Sequence, residues 1–212
     1  MKTLPTLLLL AFGTLAGRAA EPNAPGSFPF IWVALDDPAA ATIRRNADDI
    51  IKRVGTTLIY EVEHSIQADG LAKTLEIAHL REFKLPRLPA NQPQLAAIKL
   101  TSLQLRNPAN APDEADRAVL TKIDTALQEG DDVPPLLIQL VTPVGKPPEW
   151  RVYRPVSTMP VCLKCHGPAD TLAPEVRAYL AGHYPTDKAV DYSGYQWRGL
   201  IRISFVEPGK AK

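Results

Sequence analysis

The chain has 212 residues, of which 45% are hydrophobic and 22% charged, and its formal net charge is +1 at pH 7. Because the chain is nearly neutral, it has no electrostatic basis for binding nucleic acid, and we expect no such partner. The length is that of one domain. The 21 prolines exclude a simple helical bundle, since each one fixes the backbone and removes a hydrogen-bond donor.

The N-terminus has the features of an export signal. Lys2 precedes an apolar run at residues 7–12, and small residues follow up to Ala20. This order is typical of a cleaved secretory signal. The run is also shorter than the roughly 20 residues that a membrane-spanning helix needs. We predict a signal peptide over residues 1–20 and a periplasmic location, and a retained segment would instead anchor the protein to a membrane.

Composition also predicts the domain boundaries. Residues 21–37 are rich in proline and small residues at their start and are expected to be a linker. A single domain is predicted over residues 38–208, and residues 209–212 are expected to form a short tail. We predict no internal repeat.

Residues 38–93 are predicted to form a helical N-terminal part of this domain. Asp37 followed by a proline is a helix-start signal, and apolar residues at helical spacing predict a long helix from about 38 to 65. A second helix is predicted from Leu71 to Phe83. Prolines end it, the first of them being Pro86.

The rest of the chain alternates between strand-like and helix-like patterns. We predict strands at residues 97–105, 136–141, 150–156 and 197–206. Helices are predicted at residues 114–128, with Leu127 among the inward-facing residues, and at 174–180. The fold class is therefore expected to be α+β, with strands 136–141 and 150–156 forming an antiparallel pair.

Both cysteines of the chain lie in one pentapeptide, Cys162-Leu163-Lys164-Cys165-His166. This Cys-x-x-Cys-His pattern is the attachment signature of a c-type haem. Two thiols form thioethers with the haem vinyl groups, and the adjacent imidazole reaches the iron as an axial ligand. One copy of the pattern predicts one covalent haem c.

Two other uses of a cysteine pair have less support in the sequence than haem attachment. A structural zinc site usually has four protein ligands, commonly from two such pairs, and only one pair is present. A thioredoxin-like thiol pair lies at the head of a helix, whereas Gly167-Pro168 follows this motif and predicts a loop. A thiol redox pair remains the alternative to haem.

Four motifs together resemble a known family. They are Arg106–Asp113, Cys162–Gly167, Tyr184–Ala189 and Arg198-Gly199. In this order they resemble the bacterial c-type haem family with a PAS-like fold, known from exported single-domain proteins and from sensory domains of membrane receptors. The resemblance, over about residues 38–206, implies a PAS-like antiparallel sheet, N-terminal helices packed beside it and one covalently bound haem.

One departure from the family concerns the second axial ligand. The resemblance implies a cysteine on an N-terminal helix, in a segment similar to Thr74–His79. An ungapped match places Ala78 at the cysteine position, and the chain has no third cysteine. Thiolate ligation from within the chain is therefore excluded.

Three other residues are candidates for this sixth position. His79 follows Leu75 by four residues, so both lie on one helix face and the imidazole could enter the haem pocket. A core histidine bonded to a carbonyl is the alternative role for His79. Met159 would give a His/Met pair, although it lies only seven residues before His166. His64 is expected to be exposed.

Three residues of the first motif are candidates for binding the haem propionates. Arg106, Asn107 and Asn110 carry guanidinium and amide donors, which suit carboxylates. The alternative is a structural turn capped by asparagine side chains. Arg198 is a weaker candidate for the same role.

These features predict an exported monohaem cytochrome that acts in electron transfer or redox sensing and has a redox or signalling partner protein. A gas sensor with a displaceable sixth ligand is the main alternative. A peroxidase-like enzyme is a further one, but no distal histidine–arginine pair can be identified, so we do not expect an enzyme.

Overall fold

The computed structural model describes residues 29–77 and 88–208. The predicted signal peptide, the tail at 209–212 and the predicted helix beyond Ile77 lie outside these residues. In the described part of the chain, no helix combines the length and the apolar character that crossing a membrane requires.

The fold is α+β, built on one antiparallel sheet of five strands in the order β1-β3-β4-β5-β2. The strands are β1 (Phe30–Val33), β2 (Gln94–Thr101), β3 (Leu137–Val141), β4 (Glu149–Ser157) and β5 (Trp197–Val206). The α-helices of the described residues are α1 (Ala41–Ile77), α2 (Glu114–Glu129), α3 (Leu163–His166) and α4 (Pro174–His183). Short 3₁₀ turns cover Pro38–Ala40, Pro108–Asn110 and Pro160–Cys162.

The predictions for the last three strands are confirmed, but two differences occur nearer the N-terminus. Strand β1, inside the predicted linker, pairs with β3 from Phe30 opposite Val141 to Val33 opposite Ile138. Strand β2 ends at Thr101 instead of Leu105, because the chain turns at the next residue. There the Ser102 hydroxyl accepts a hydrogen bond from the backbone N–H of Gln104 at 3.0 Å.

Helix α1 joins the two predicted N-terminal helices. Its start agrees with the predicted signal, since the Asp37 carboxylate accepts a hydrogen bond from the backbone N–H of Ala39 at 2.8 Å. The kink between the two helices is at Gly70, where φ is 81°. This left-handed conformation favours glycine and explains why the helical pattern changes there.

The two faces of the sheet are covered by different helices. Helix α1 buries Ile43, Ala47 and Val54 against one face, which presents Val152 and Ile203. Helix α2 lies on the opposite face, where its residues Val119, Leu120 and Ile123 pack against Leu137, Tyr153 and Leu200. The bounds predicted for α2 are confirmed to within one residue, but Leu127 is 46% exposed and does not face the core.

A buried polar cluster joins α2 to the sheet, and sequence patterns did not predict it. The Asp116 side chain is fully buried and lies 2.9 Å from both Lys99 and Arg202. The Tyr153 hydroxyl lies 3.2 Å from the same carboxylate. These opposite charges neutralise one another inside the fold, so the cluster positions α2 rather than forming an open site.

Candidate functional site

A cavity of about 390 Å³ lies between α1 and the sheet. Helix α1 contributes Gly55, Leu58 and Ile59 to its wall, and the strands contribute apolar residues that include Val156 and Ile201. Its size and apolar walls are those of a small-molecule or cofactor site. The cysteine motif reaches the same space through Cys162 and His166.

The cysteine motif is held in two short helical turns, not in the loop that the following Gly167-Pro168 predicted. The turn Pro160–Cys162 leads directly into α3. Helix α3 ends where the backbone N–H of Gly167 donates to the Leu163 carbonyl at 2.9 Å. A Cβ at position 167 would lie 2.5 Å from that carbonyl oxygen, so this close approach requires glycine.

Both thiols are free. Cys162 lines the cavity. Cys165 packs against a buried cluster that contains Leu75 of α1 and Val176 of α4. Burial raises the pKa of the Cys165 thiol, and this effect exceeds the opposing one of the nearby Arg106 charge. The two sulfur atoms are therefore carried by a segment that is packed on one side and open to the cavity on the other.

His166 is held in one tautomer by its backbone partner. Its Nδ1 atom lies 2.7 Å from the carbonyl oxygen of Ala189, so Nδ1 carries the proton and donates. Burial, with the positive charges of Arg106 and Arg198, lowers the pKa of the imidazole to about 3. The ring is neutral at physiological pH, and Nε2 is left as the lone-pair nitrogen that a metal ion would bind.

Arg106 borders the cavity, but most of its N–H groups donate hydrogen bonds to other groups of the protein. Its Nε donates to the Asp187 carboxylate at 2.9 Å. Its Nη2 donates to the carbonyl oxygens of Cys165 at 2.6 Å and Ala189 at 3.1 Å. Arg106 therefore ties the motif to the Asp187–Ala189 segment and supports the carbonyl that orients His166.

The two asparagines also border the cavity and make the contacts of a structural turn. The Asn107 side chain accepts a hydrogen bond from the backbone N–H of Ala109 at 3.0 Å and caps the turn Pro108–Asn110. The Asn110 carbonyl accepts one from the Thr101 hydroxyl at 2.9 Å. These contacts give Asn107 the capping role of the structural alternative through its side-chain oxygen, and they do not use its Nδ2, the donor that a carboxylate would need.

Arg198, ranked below Arg106 from the sequence, lines the cavity and forms no ion pair with the residues that the structure describes. Its Nη1 donates to the Gln104 carbonyl at 3.0 Å, and its guanidinium lies 5.2 Å from the centre of the Tyr192 ring. Its Nε is buried and has no hydrogen-bond partner in the described part of the chain. The sequence signal was an arginine directly before Gly199 near the start of the last strand, which is too general to reveal this environment.

The candidates for a second metal ligand differ in their position relative to the cavity. Met159 lines the cavity and is 38% exposed. His64 is exposed, as predicted, and stacks on Tyr60 with 5.9 Å between ring centres. It is not among the described residues that line the cavity. His79 lies outside the described residues, and Leu75, four residues before it in the sequence, belongs to the same buried cluster as Cys165.

The site combines the groups that a porphyrin cofactor would use. Apolar walls suit a flat macrocycle, and two free thiols suit covalent attachment. A neutral imidazole with a fixed tautomer suits an iron ion. A buried guanidinium suits a carboxylate.

Comparison with known proteins gives three findings. No curated protein matches the chain. Among solved structures, the chain is similar to the cyanobacterial heme-protein Tll0287, with 22% identity and a TM-score of 0.38. The similarity covers 54% of this chain and 62% of that one, so the chain spans less than two thirds of the length of Tll0287. Residues 62–205, more than half of the sequence, match the Tll0287-like family. The protein therefore belongs to the Tll0287-like family.

Proposed function

We propose that this protein is an exported monohaem cytochrome of the c type, with a PAS-like fold, that acts in electron transfer or redox sensing. The observation that carries the proposal is the presence of Cys162 and His166 on the wall of one apolar cavity, with His166 Nε2 free to bind a metal. Membership of a family named after a heme-protein supports the same cofactor.

The haem is proposed to be covalent and single. Cys162 and Cys165 are free and are the two cysteines of the chain. When bound, the haem supplies the iron chemistry. The protein would contribute the sulfur atoms of both cysteines, the Nε2 atom of His166 as a ligand of the iron, and the apolar wall that α1 provides.

The sixth ligand is proposed to be His79, with Met159 as the alternative. Leu75, four residues before His79 in the sequence, packs in the same buried cluster as Cys165, which supports this assignment. Two strong ligands leave no open position for a substrate, which favours electron transfer or redox sensing over catalysis. Met159, which lines the cavity, favours a second function, gas sensing with a displaceable ligand.

A partner protein must exchange electrons with the haem or read its state. We propose a redox or signalling protein in the periplasm for this role. If the N-terminal segment were retained, the same partner would be met at the membrane surface.

The experiment that tests covalent attachment compares the wild type with the double variant Cys162→Ser/Cys165→Ser. Both are expressed with c-type haem maturation and analysed by haem staining after denaturing electrophoresis. The wild type is expected to keep its stain and the double variant to lose it, because denaturation releases haem that is bound only through the iron. The single variant Cys165→Ser is the matched control and keeps one thioether. Haem that is extractable from the wild type would contradict the proposal.

A further inference from the structure

The cavity is bordered by two arginines whose surroundings differ. Arg106 is paired with Asp187, and both side chains are largely buried. Arg198 forms no ion pair among the described residues. One of the two guanidinium groups is therefore paired directly with a carboxylate, and the other is not.

The Arg198 guanidinium is held in place by three neighbours that carry no negative charge. Gln104 accepts from Nη1 through its carbonyl oxygen, and the Tyr192 ring lies beneath the guanidinium plane. The Ser102 hydroxyl donates to the Arg198 carbonyl at 2.8 Å and fixes the backbone. The Arg198 side chain lines the cavity, and its Nε–H is buried and has no hydrogen-bond partner in the described part of the chain.

The surroundings of the Arg198 side chain make its positive charge energetically unfavourable. No aspartate or glutamate lines the cavity in the part of the chain that the structure describes. Burial lowers the pKa of Arg198 and the nearby charge of Arg106 adds to this, while Tyr192 and the more distant Asp187 carboxylate oppose the shift without reversing it. Arginine nevertheless stays protonated in proteins, so the charge persists. A buried charge without a counter-ion is destabilising, and an anion from outside the chain would relieve that cost.

We propose that Arg198 is the carboxylate-binding residue of this cavity, while Arg106 positions the cysteine motif. The planar guanidinium, with a free Nε–H edge, matches a carboxylate better than a rounder anion. The inference rests on the proposed function, in which the carboxylate is a haem propionate. A free carboxylate ligand has the same chemistry and is distinguished by the experiment.

The first arm tests the propionate in the purified haem protein. Resonance Raman spectra report hydrogen bonding to the propionates through their bending modes, and cyclic voltammetry gives the reduction potential. Arg198→Gln is expected to shift the propionate band and lower the potential, because a positive charge near the iron is lost. Arg198→Lys keeps the charge but not the planar edge, so it should shift the band with a smaller change in potential. Arg117→Gln, on exposed α2 surface, is the control.

The second arm tests a free carboxylate by adding sodium acetate to the same proteins. If the ligand is a propionate, acetate leaves the melting temperature of the wild type unchanged. If the site takes a free carboxylate, acetate raises the melting temperature of the wild type but not that of Arg198→Gln. Purified protein without haem would overturn the proposed function, and the acetate arm would then decide the role of Arg198. A Raman band unaffected in both Arg198 variants, with no acetate effect that depends on Arg198, would overturn this inference.

Discussion

His166 and Ala189 are joined by a hydrogen bond of 2.7 Å between the imidazole Nδ1 and the backbone carbonyl. The same carbonyl accepts from Arg106, whose Nε is bound to Asp187. The tautomer of the proposed iron ligand is therefore set by a segment 23 residues further along the chain. Such contacts behind a metal ligand orient its ring and tune its basicity.

Asp187→Asn is expected to destabilise the fold. The change leaves Arg106 charged and largely buried without its carboxylate, which should lower the free energy of unfolding by about 3 kcal/mol. Urea denaturation followed by circular dichroism measures this difference. Asp131→Asn, at an exposed aspartate, should change stability little. Equal stability of the two variants would show that the Arg106–Asp187 pair does not hold the motif.

The sixth ligand can be identified from the absorption spectrum. We expect the wild type to have a low-spin haem spectrum without the long-wavelength absorption band that marks methionine ligation. The variant His79→Ala should change to a high-spin spectrum. Met159→Leu should leave the spectrum unchanged. His64→Ala is a matched histidine control, because His64 is exposed and stacks on Tyr60. A high-spin wild type would contradict the prediction and favour gas sensing, while loss of the low-spin state in Met159→Leu would assign the ligand to Met159.

Gly199→Ala is expected to be destabilising because glycine is required there on two grounds. Its φ is 154°, and an added Cβ would collide with the Thr101 carbonyl of the neighbouring strand. We expect a loss of about 1–3 kcal/mol in the free energy of unfolding, measured by thermal or urea denaturation. Gly182→Ala in α4 has open space around it and should be neutral or stabilising by up to about 1 kcal/mol. A Gly199→Ala protein as stable as the wild type would contradict the strand contact.

Acid should unfold the protein partly through Asp113. Burial raises the pKa of this carboxyl, but the Asp116 backbone N–H and the Arg151 charge outweigh it, so the pKa in the folded state is lowered. Because the folded pKa lies below the unfolded value, the stability that Asp113 contributes is present above the unfolded pKa. It is lost as the pH falls through the folded pKa.

The corresponding measurement compares urea midpoints at about pH 6 and about pH 3. Asp113→Asn should be less stable than the wild type at the higher pH, since it loses the charge opposite Arg151. It should also lose less stability on acidification. An identical pH dependence in Asp113→Asn and the wild type would show that other carboxyls control acid unfolding.

Several elements follow from short-range sequence patterns. Strands β3, β4 and β5 and helix α2 agree with their predictions because alternating or helical spacing of apolar residues depends on neighbours in sequence. The exposure of Leu127 shows where this method fails, since helical spacing cannot tell how far the core extends. Strand β1 was missed because four apolar residues become a strand only when β3 lies beside them.

The cysteine motif, its histidine and the absence of a third cysteine can be read from residue identity and spacing alone. The roles of the two arginines cannot, because they depend on contacts between distant parts of the chain. Arg106 is paired with a carboxylate 81 residues away, whereas Arg198 lies beside Gln104 and Tyr192 with its Nε unpaired. A charge is balanced by the groups that the fold places within a few ångströms of it. Those distances cannot be inferred from residues that are neighbours in sequence.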